Sequence, residues 1–121
     1  MRSIALLGST GSIGVSTLAV VRRFPDRFKV PGMVAGRNLQ LLADQIKEFS
    51  PRCVAIKDEE DVPRLRALLG RRRVEILAGE KGAIAVATAG EVDVVLAGIV
   101  GGAGLMSTLM AVQARKDIAL A

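Results

Sequence analysis

The chain has 121 residues, of which 50% are apolar and 24% are charged, and its formal net charge is +5. This length fits one domain, and this balance is typical of a packed core, which excludes a disordered chain. The single cysteine excludes an internal disulfide and favours the cytoplasm. No run reaches the roughly 18 apolar residues of a membrane span, and no secretory signal is evident.

Short apolar runs alternate with helical patterns along the chain. The predicted strands cover residues 3–7, 28–36, 52–56, 74–77, 92–97 and 118–120, and the predicted helices cover 12–24, 39–49, 61–69, 80–88 and 105–114. Such alternation through short loops indicates a parallel sheet, because right-handed crossovers place the helices on its faces. We predict one α/β domain over residues 1–121, a Rossmann-like doubly wound parallel sheet of about six strands with helices on both faces.

Three residues mark boundaries within this pattern. Pro25 ends the first helix, because proline lacks an N–H and disfavours helical geometry in the residue before it. Pro31 cannot donate to a strand ladder, so we expect the regular part of the second strand to begin near Gly32, with a distortion before it. Asn38 is a residue type that caps helix N-termini, and it precedes the second predicted helix.

A glycine-rich turn follows the first predicted strand and opens the first predicted helix. Its spacing, Gly8-x-x-Gly11-x-x-Gly14, is a variant of the G-x-G-x-x-G pattern of dinucleotide-binding turns. Gly8 permits the tight turn, Gly11 lets the backbone approach a diphosphate, and Gly14 lets helix and strand pack closely. The alternative is a turn that needs glycine only for its tightness.

We expect this turn to bind phosphate oxygens from the positive end of the helix. The backbone N–H groups from Thr10 to Ile13 are free donors at such a position, and the hydroxyls of Ser9, Thr10 and Ser12 are expected to add bonds. The predicted cofactor contacts in this turn are therefore Gly8, Ser9, Thr10, Gly11, Ser12 and Ile13.

The end of the second predicted strand indicates which dinucleotide binds. Sites for NAD usually carry an acid there for the ribose 2′-hydroxyl, whereas an arginine accommodates the 2′-phosphate of NADP. This chain has Gly36, Arg37 and Asn38 at that point, which favours NADP(H). Arg37 as an ordinary exposed arginine, and Asn38 as a helix cap alone, remain alternatives.

A third candidate segment follows the fifth predicted strand, from Ala97 to Gly104. Strand ends at the carboxyl edge line the ligand crevice, so we expect Ala97 and Ile99 to contact the ribose or nicotinamide. Glycines that serve only helix–strand packing are an equally good interpretation of this segment.

Other chemistries find little support in the sequence. The chain has no histidine, and its one acidic run, Asp58 to Asp61, reads as a solvated helix start, so we predict no metal site. Cys53 begins a buried strand and is expected to be an inert thiol. The run from Arg71 to Arg73 lacks the aromatic residues that stack on bases, so we expect no nucleic-acid partner and no membrane partner.

Four segments, in order along nearly the whole chain, carry a resemblance. They are Gly8-Ser9-Thr10-Gly11-Ser12-Ile13-Gly14 with Ser16-Thr17-Leu18, Ala35-Gly36-Arg37-Asn38, Phe49-Ser50-Pro51-Arg52, and Ile99-Val100-Gly101 with Ala103-Gly104-Leu105. Together they resemble the N-terminal NADPH-binding domain of the 1-deoxy-D-xylulose 5-phosphate reductoisomerase family.

The resemblance implies a cytoplasmic, homodimeric, NADPH-dependent oxidoreductase of the non-mevalonate isoprenoid pathway. Such an enzyme rearranges and reduces its sugar phosphate to 2-C-methyl-D-erythritol 4-phosphate with Mg²⁺ or Mn²⁺. The resemblance also implies diphosphate contacts from Thr10 to Ile13 and 2′-phosphate contacts at Gly36, Arg37 and Asn38. Arg115 departs from the family, which often has glycine there to end the last helix.

The family continues after Ala121 with Asn-Lys-Glu and with a later domain that supplies the metal ligands. We therefore expect this chain to bind NADPH, to contain no catalytic residue and to perform no turnover alone. Two alternatives remain open. One is the cofactor domain of another NADPH-dependent reductase, such as a semialdehyde dehydrogenase, and the other is a non-catalytic NADPH-binding module.

Overall fold

The computed structural model describes residues 1–98 and 105–120, and within them the predicted alternation is present. The strands are β1 (Arg2–Leu7), β2 (Phe28–Val34), β3 (Cys53–Ile56), β4 (Glu75–Ala78), β5 (Val94–Ala97) and β6 (Asp117–Leu120). The helices are α1 (Ser12–Arg23), α2 (Leu39–Phe49), α3 (Val62–Leu69), α4 (Gly79–Thr88) and α5 (Leu105–Gln113). The strands form one parallel sheet in the order β4-β3-β2-β1-β5-β6, which confirms the predicted fold class.

Strand β1 lies where the order of strands along the chain reverses, with β2 on one side and β5 on the other. Its last residue, Leu7, pairs with Val34 of β2 and with Ala97 of β5. The three strands therefore end at one edge of the sheet. Ligands of open parallel sheets bind at this carboxyl edge, beside the reversal.

The two faces of the sheet carry separate hydrophobic cores. Ile4 and Leu6 of β1 pack in the core formed with α1, α2 and α3, whereas Ala5 and Leu7 belong to the core formed with α4 and α5. This alternation follows from the two-residue period of a strand. Burial of each leucine stabilises the fold by about 1.5–3 kcal/mol, so the glycine turn rests on a firmly anchored strand.

The distortion predicted in β2 is a bulge. Ser3 of β1 pairs with Lys29, but Ala5 pairs with Gly32, so β2 contains one extra residue between these pairs. Pro31 lies in the bulge, where the strand makes no ladder bond to β1 that would need the N–H group that proline lacks. The uninterrupted register with β1 and β3 begins at Gly32, as expected, and a shorter paired stretch at Phe28 and Lys29 precedes the bulge.

Two helix ends bear on the sequence predictions. The side chain of Asn38 accepts a hydrogen bond from the N–H of Leu41 at 3.2 Å, which confirms Asn38 as the N-cap of α2. Arg115, after α5, has a φ of 62°, and the N–H of Lys116 donates to the carbonyl of Ala111 at 3.1 Å. Arg115 thus occupies the left-handed position that glycine favours after a helix.

Candidate functional site

The glycine turn is fastened to the end of β2 by backbone bonds. The N–H groups of Gly8 and Ser9 both donate to the carbonyl of Val34, at 2.7 and 3.0 Å, and the N–H of Gly11 donates to the carbonyl of Gly8 at 3.2 Å. Gly8 has a φ of 93°, a conformation that side-chain-bearing residues rarely adopt. Strand β2 ends at Val34 and does not continue to residue 36 as predicted, although the N–H of Ala35 still donates to the carbonyl of Ala55 at 2.9 Å.

Two glycines of the turn have different roles. A Cβ at Gly14 would overlap the carbonyl oxygen of Gly8 and would lie 2.6 Å from the Cα of Ser9, so α1 can begin here only with glycine. A Cβ at Gly11 would meet only the carbonyl oxygen of Gly8, at an ordinary 3.5 Å. The fold therefore requires Gly14, whereas Gly11 leaves space on the outer side of the turn.

The start of α1 presents unused donors at the surface. The N–H groups of Thr10, Ser12 and Ile13 have no acceptor among the described residues, and no described side chain caps the helix. The expected row of donors is present except at Gly11, whose N–H is used within the turn. Donors at the positive end of a helix suit phosphate oxygens.

The predicted role of the Ser9 hydroxyl needs correction. Ser9 is fully buried, and its Oγ is among the buried side-chain atoms that have no hydrogen-bond partner in the described part of the chain. Its N–H donates to Val34, and its carbonyl accepts a 2.8 Å bond from the side-chain amide of Gln45. Ser9 therefore faces the protein, because the turn packs its first residues inward to start α1 close to β1.

Gly36, Arg37 and Asn38 lie exposed beyond the end of β2. The Arg37 side chain is 74% exposed, and its Nε lies 3.9 Å from a carboxylate oxygen of Asp58. Exposed pairs of this kind contribute at most about 1 kcal/mol, so the guanidinium is available to a stronger anion. Asn38 uses its side-chain oxygen as the cap and keeps its NH₂ group as a donor.

A hollow of about 320 Å³ lies beside this segment, with Val34, Ala35, Gly36, Ile56, Lys57, Gly79, Glu80 and Ala83 as its lining. Its mostly apolar wall suits a flat ring such as a nucleobase. Lys57, Gly79 and Glu80 were not predicted from the sequence. They line the hollow because the carboxyl ends of adjacent parallel strands meet at one edge of the sheet. A larger hollow, about 810 Å³, is lined by acidic Asp58, Glu59 and Glu60 and is unsuited to phosphate.

At the end of β5, the half-buried Ala97 is followed by Gly98, whose N–H donates to the carbonyl of Leu7 at 2.8 Å. A Cβ at Gly98 would lie 3.2 Å from that carbonyl and 3.5 Å from the Cβ of Ile13. Gly98 thus serves close packing between β5 and the turn. The predicted contact Ile99 and the glycines up to Gly104 lie outside the described residues.

The remaining predictions concern groups away from the crevice. Burial raises the pKa of the Cys53 thiol to about 12, with Glu75 and Glu91 adding to the shift, which fits an inert thiol. Residues 1–98 and 105–120 contain no group of three or more acidic, histidine or cysteine side chains that could hold a metal ion. Within the same residues, every helix is too short or too polar to cross a bilayer.

Comparison with known proteins places the chain in one family. The model of a family described as 1-deoxy-D-xylulose 5-phosphate reductoisomerase matches residues 4–121. The 1-deoxy-D-xylulose 5-phosphate reductoisomerase of Pelodictyon phaeoclathratiforme is 53% identical over 121 residues, which are 100% of this chain and 32% of the relative. The chain thus spans about a third of the length of the curated relatives it matches.

Solved structures agree with this match. A crystal structure of DOX-P reductoisomerase in complex with magnesium has a TM-score of 0.96 and 37% identity, covering 100% of this chain and 30% of that one. A second, the enzyme from Zymomonas mobilis in complex with NADPH, has a TM-score of 0.93 and 38% identity, covering 99% of this chain and 31% of that one. Sequence and fold together show that this chain belongs to the 1-deoxy-D-xylulose 5-phosphate reductoisomerase family.

Proposed function

We propose that this chain is the NADPH-binding domain of a 1-deoxy-D-xylulose 5-phosphate reductoisomerase. The observation that carries the proposal is the row of unused N–H donors at Thr10, Ser12 and Ile13, at the same edge of the sheet as the exposed guanidinium of Arg37. The family assignment favours this reading over a semialdehyde dehydrogenase domain or a non-catalytic module.

The turn would bind the diphosphate. Each hydrogen bond from a backbone N–H to a charged phosphate is worth about 1.5–3 kcal/mol, and the positive end of α1 adds to the attraction. The hydroxyls of Thr10 and Ser12 stand beside these donors and would add bonds. Gly11 keeps the approach free of a side chain, since a Cβ there would contact only the carbonyl oxygen of Gly8, at 3.5 Å, and no other protein atom within 4 Å in the described part of the chain.

The segment after β2 would bind the 2′-phosphate. Arg37 offers a planar fork of donors that matches phosphate, and the side-chain NH₂ of Asn38 lies next to it in sequence. Gly36 borders the apolar hollow, which would receive the adenine. The same edge of the sheet thus has a place for each charged part of NADPH.

The parent activity, proposed for the whole protein, is isomerisation of 1-deoxy-D-xylulose 5-phosphate and its reduction to 2-C-methyl-D-erythritol 4-phosphate. Bound NADPH supplies the hydride for this reduction. The role of this chain is to hold the cofactor, with Ala97 and Ile99 proposed beside the ribose or nicotinamide. We assign the ligands of Mg²⁺ or Mn²⁺ and the dimer interface of a homodimer to other parts of the protein, and we place it in the cytoplasm.

Calorimetric titration of the purified protein with NADPH and NADH tests this function. We expect NADPH to bind at least about tenfold more tightly than NADH, a difference of roughly 1.4 kcal/mol. Arg37→Ala should remove most of this preference, because the guanidinium interacts only with the extra phosphate. Arg71→Ala, at an exposed arginine in the loop after α3, is the matched control. Equal affinity for NADPH and NADH before any mutation contradicts the proposal.

A further inference from the structure

One buried polar side chain contacts the glycine turn from behind. Gln45 of α2 is only 6% exposed, and its Nε2 donates to the carbonyl of Ser9 at 2.8 Å. The carbonyl oxygen can only accept, so the NH₂ group of Gln45 must face it. The bond joins the helix that follows Arg37 to the turn that precedes α1.

Stability alone does not account for a glutamine at this position. The buried face of α2 is otherwise apolar, and Gln45 lies directly before Ile46 of that face. The Oε1 of Gln45 and the Oγ of Ser9 are both buried without a partner among the described residues, and unpaired burial of polar atoms costs stability. A methionine of similar length would avoid the cost at Oε1, so the donor itself is the feature that glutamine adds.

The donor fixes the orientation of one peptide unit. The Ser9 carbonyl and the Thr10 N–H belong to the same peptide group, and no described peptide bond is cis. In a trans peptide the C=O and N–H point in opposite directions. Because Gln45 holds the carbonyl toward the protein, the Thr10 N–H points outward, and it has no acceptor among the described residues.

We propose that Gln45 is a positioning residue that aims the Thr10 N–H at the diphosphate of the cofactor; this inference rests on the proposed function. The Ser9 N–H is also held, by the carbonyl of Val34 at 3.0 Å. Both ends of Ser9 are therefore fastened by the segment between Val34 and Gln45, the same segment that carries Arg37. The same segment therefore supports both proposed phosphate contacts, the glycine turn and Arg37.

The test compares Gln45→Met with Gln40→Met, a matched change on the exposed side of the same helix, where Gln40 donates only to Asp44. We expect Gln45→Met to weaken NADPH binding roughly tenfold. Binding of adenosine 2′-monophosphate, which lacks the diphosphate, should be unchanged. Gln40→Met should alter neither. The midpoint of thermal unfolding should move by no more than about 4 °C in either variant, because in Gln45→Met the Ser9 carbonyl loses its partner while the unpaired Oε1 is removed.

Several outcomes overturn the inference. If Gln45→Met binds NADPH as tightly as the unchanged protein, the Thr10 N–H needs no positioning. If binding of both ligands falls together with the unfolding midpoint, Gln45 has only a structural role. If the unchanged protein does not bind NADPH, the proposed function fails first and this inference fails with it.

A measurement on the unchanged protein covers the case in which Gln45→Met does not fold. In a ¹⁵N-labelled sample, the side-chain NH₂ of Gln45 should exchange with solvent more slowly than that of Gln40. Inorganic pyrophosphate should shift the backbone amide signal of Thr10. Equal exchange of the two side chains, or no shift at Thr10, contradicts the proposal.

Discussion

The glycine turn after β1 is tied into the protein by backbone and buried side-chain bonds, whereas Arg37 after β2 has a side chain that is 74% exposed. The turn must present several N–H groups at fixed directions, and fixed backbone costs little additional entropy when a ligand binds. In the proposed site Arg37 would meet one phosphate, for which a long flexible side chain is sufficient. In the proposed site, the rigid backbone of the turn would supply the affinity, and the solvent-exposed charge of Arg37 would select the cofactor.

Gly14→Ala, in the glycine turn, is the substitution with the largest expected effect on stability and binding. The added Cβ would overlap the carbonyl of Gly8, and backbone atoms on both sides leave it no flexible neighbour to displace. We expect a loss of about 3 kcal/mol in the free energy of unfolding, at the upper end for overpacked sites, together with loss of NADPH binding. Urea unfolding and titration measure the two effects. A stable variant that binds NADPH normally would show that α1 can move away from the turn without cost.

Gly11→Ala sharpens the comparison, because it changes the same turn on its outer side. Its Cβ would make only an ordinary contact of 3.5 Å with the protein, so stability should change by no more than about 1 kcal/mol. NADPH binding should nevertheless weaken by more than about tenfold, since the methyl group would occupy the approach of the diphosphate. A variant that retains full affinity would place the diphosphate elsewhere.

Asp58→Asn removes a charge next to the exposed Arg37 side chain and has the smallest expected effect. The carboxylate lies 3.9 Å from Arg37 and competes with the 2′-phosphate for its guanidinium. Removal of the charge should tighten NADPH binding about threefold, leave NADH binding unchanged, and lose its effect in high salt, because exposed charges are screened. Glu60→Gln, in the same acidic run, is the control. Weaker binding of NADPH by Asp58→Asn would mean that Asp58 orients Arg37.

Much of the fold could be predicted from the sequence because glycine and proline mark the ends of its elements. Pro25 follows α1, and Asn38 caps α2 as its residue type suggests. Each predicted helix is present within the described residues. The predicted end of β2, Gly36, is two residues too late, because Ala35 continues the apolar run after pairing with β1 has ended at Val34.

The candidate site was only partly predictable. The unused donors at Thr10, Ser12 and Ile13 follow from helix geometry, which every helix start shares. The burial of Ser9 could not be read from the sequence, since the direction of its side chain is set by packing of the whole turn. Gln45 did leave a signal, a polar residue within the apolar face of α2, but its target was visible only in three dimensions.

The bulge at Pro31 has a consequence for the far end of the same strand. Side chains and carbonyls alternate in direction along a strand, so one inserted residue reverses the direction of all that follow. If β2 kept all its residues but ran on from Lys29 without the bulge, Met33 would stand opposite Leu7 in place of Val34, and the side chains of Met33 and Val34 would exchange cores. The bulge therefore sets which residue of β2 meets the last residue of β1, at the point where the glycine turn begins.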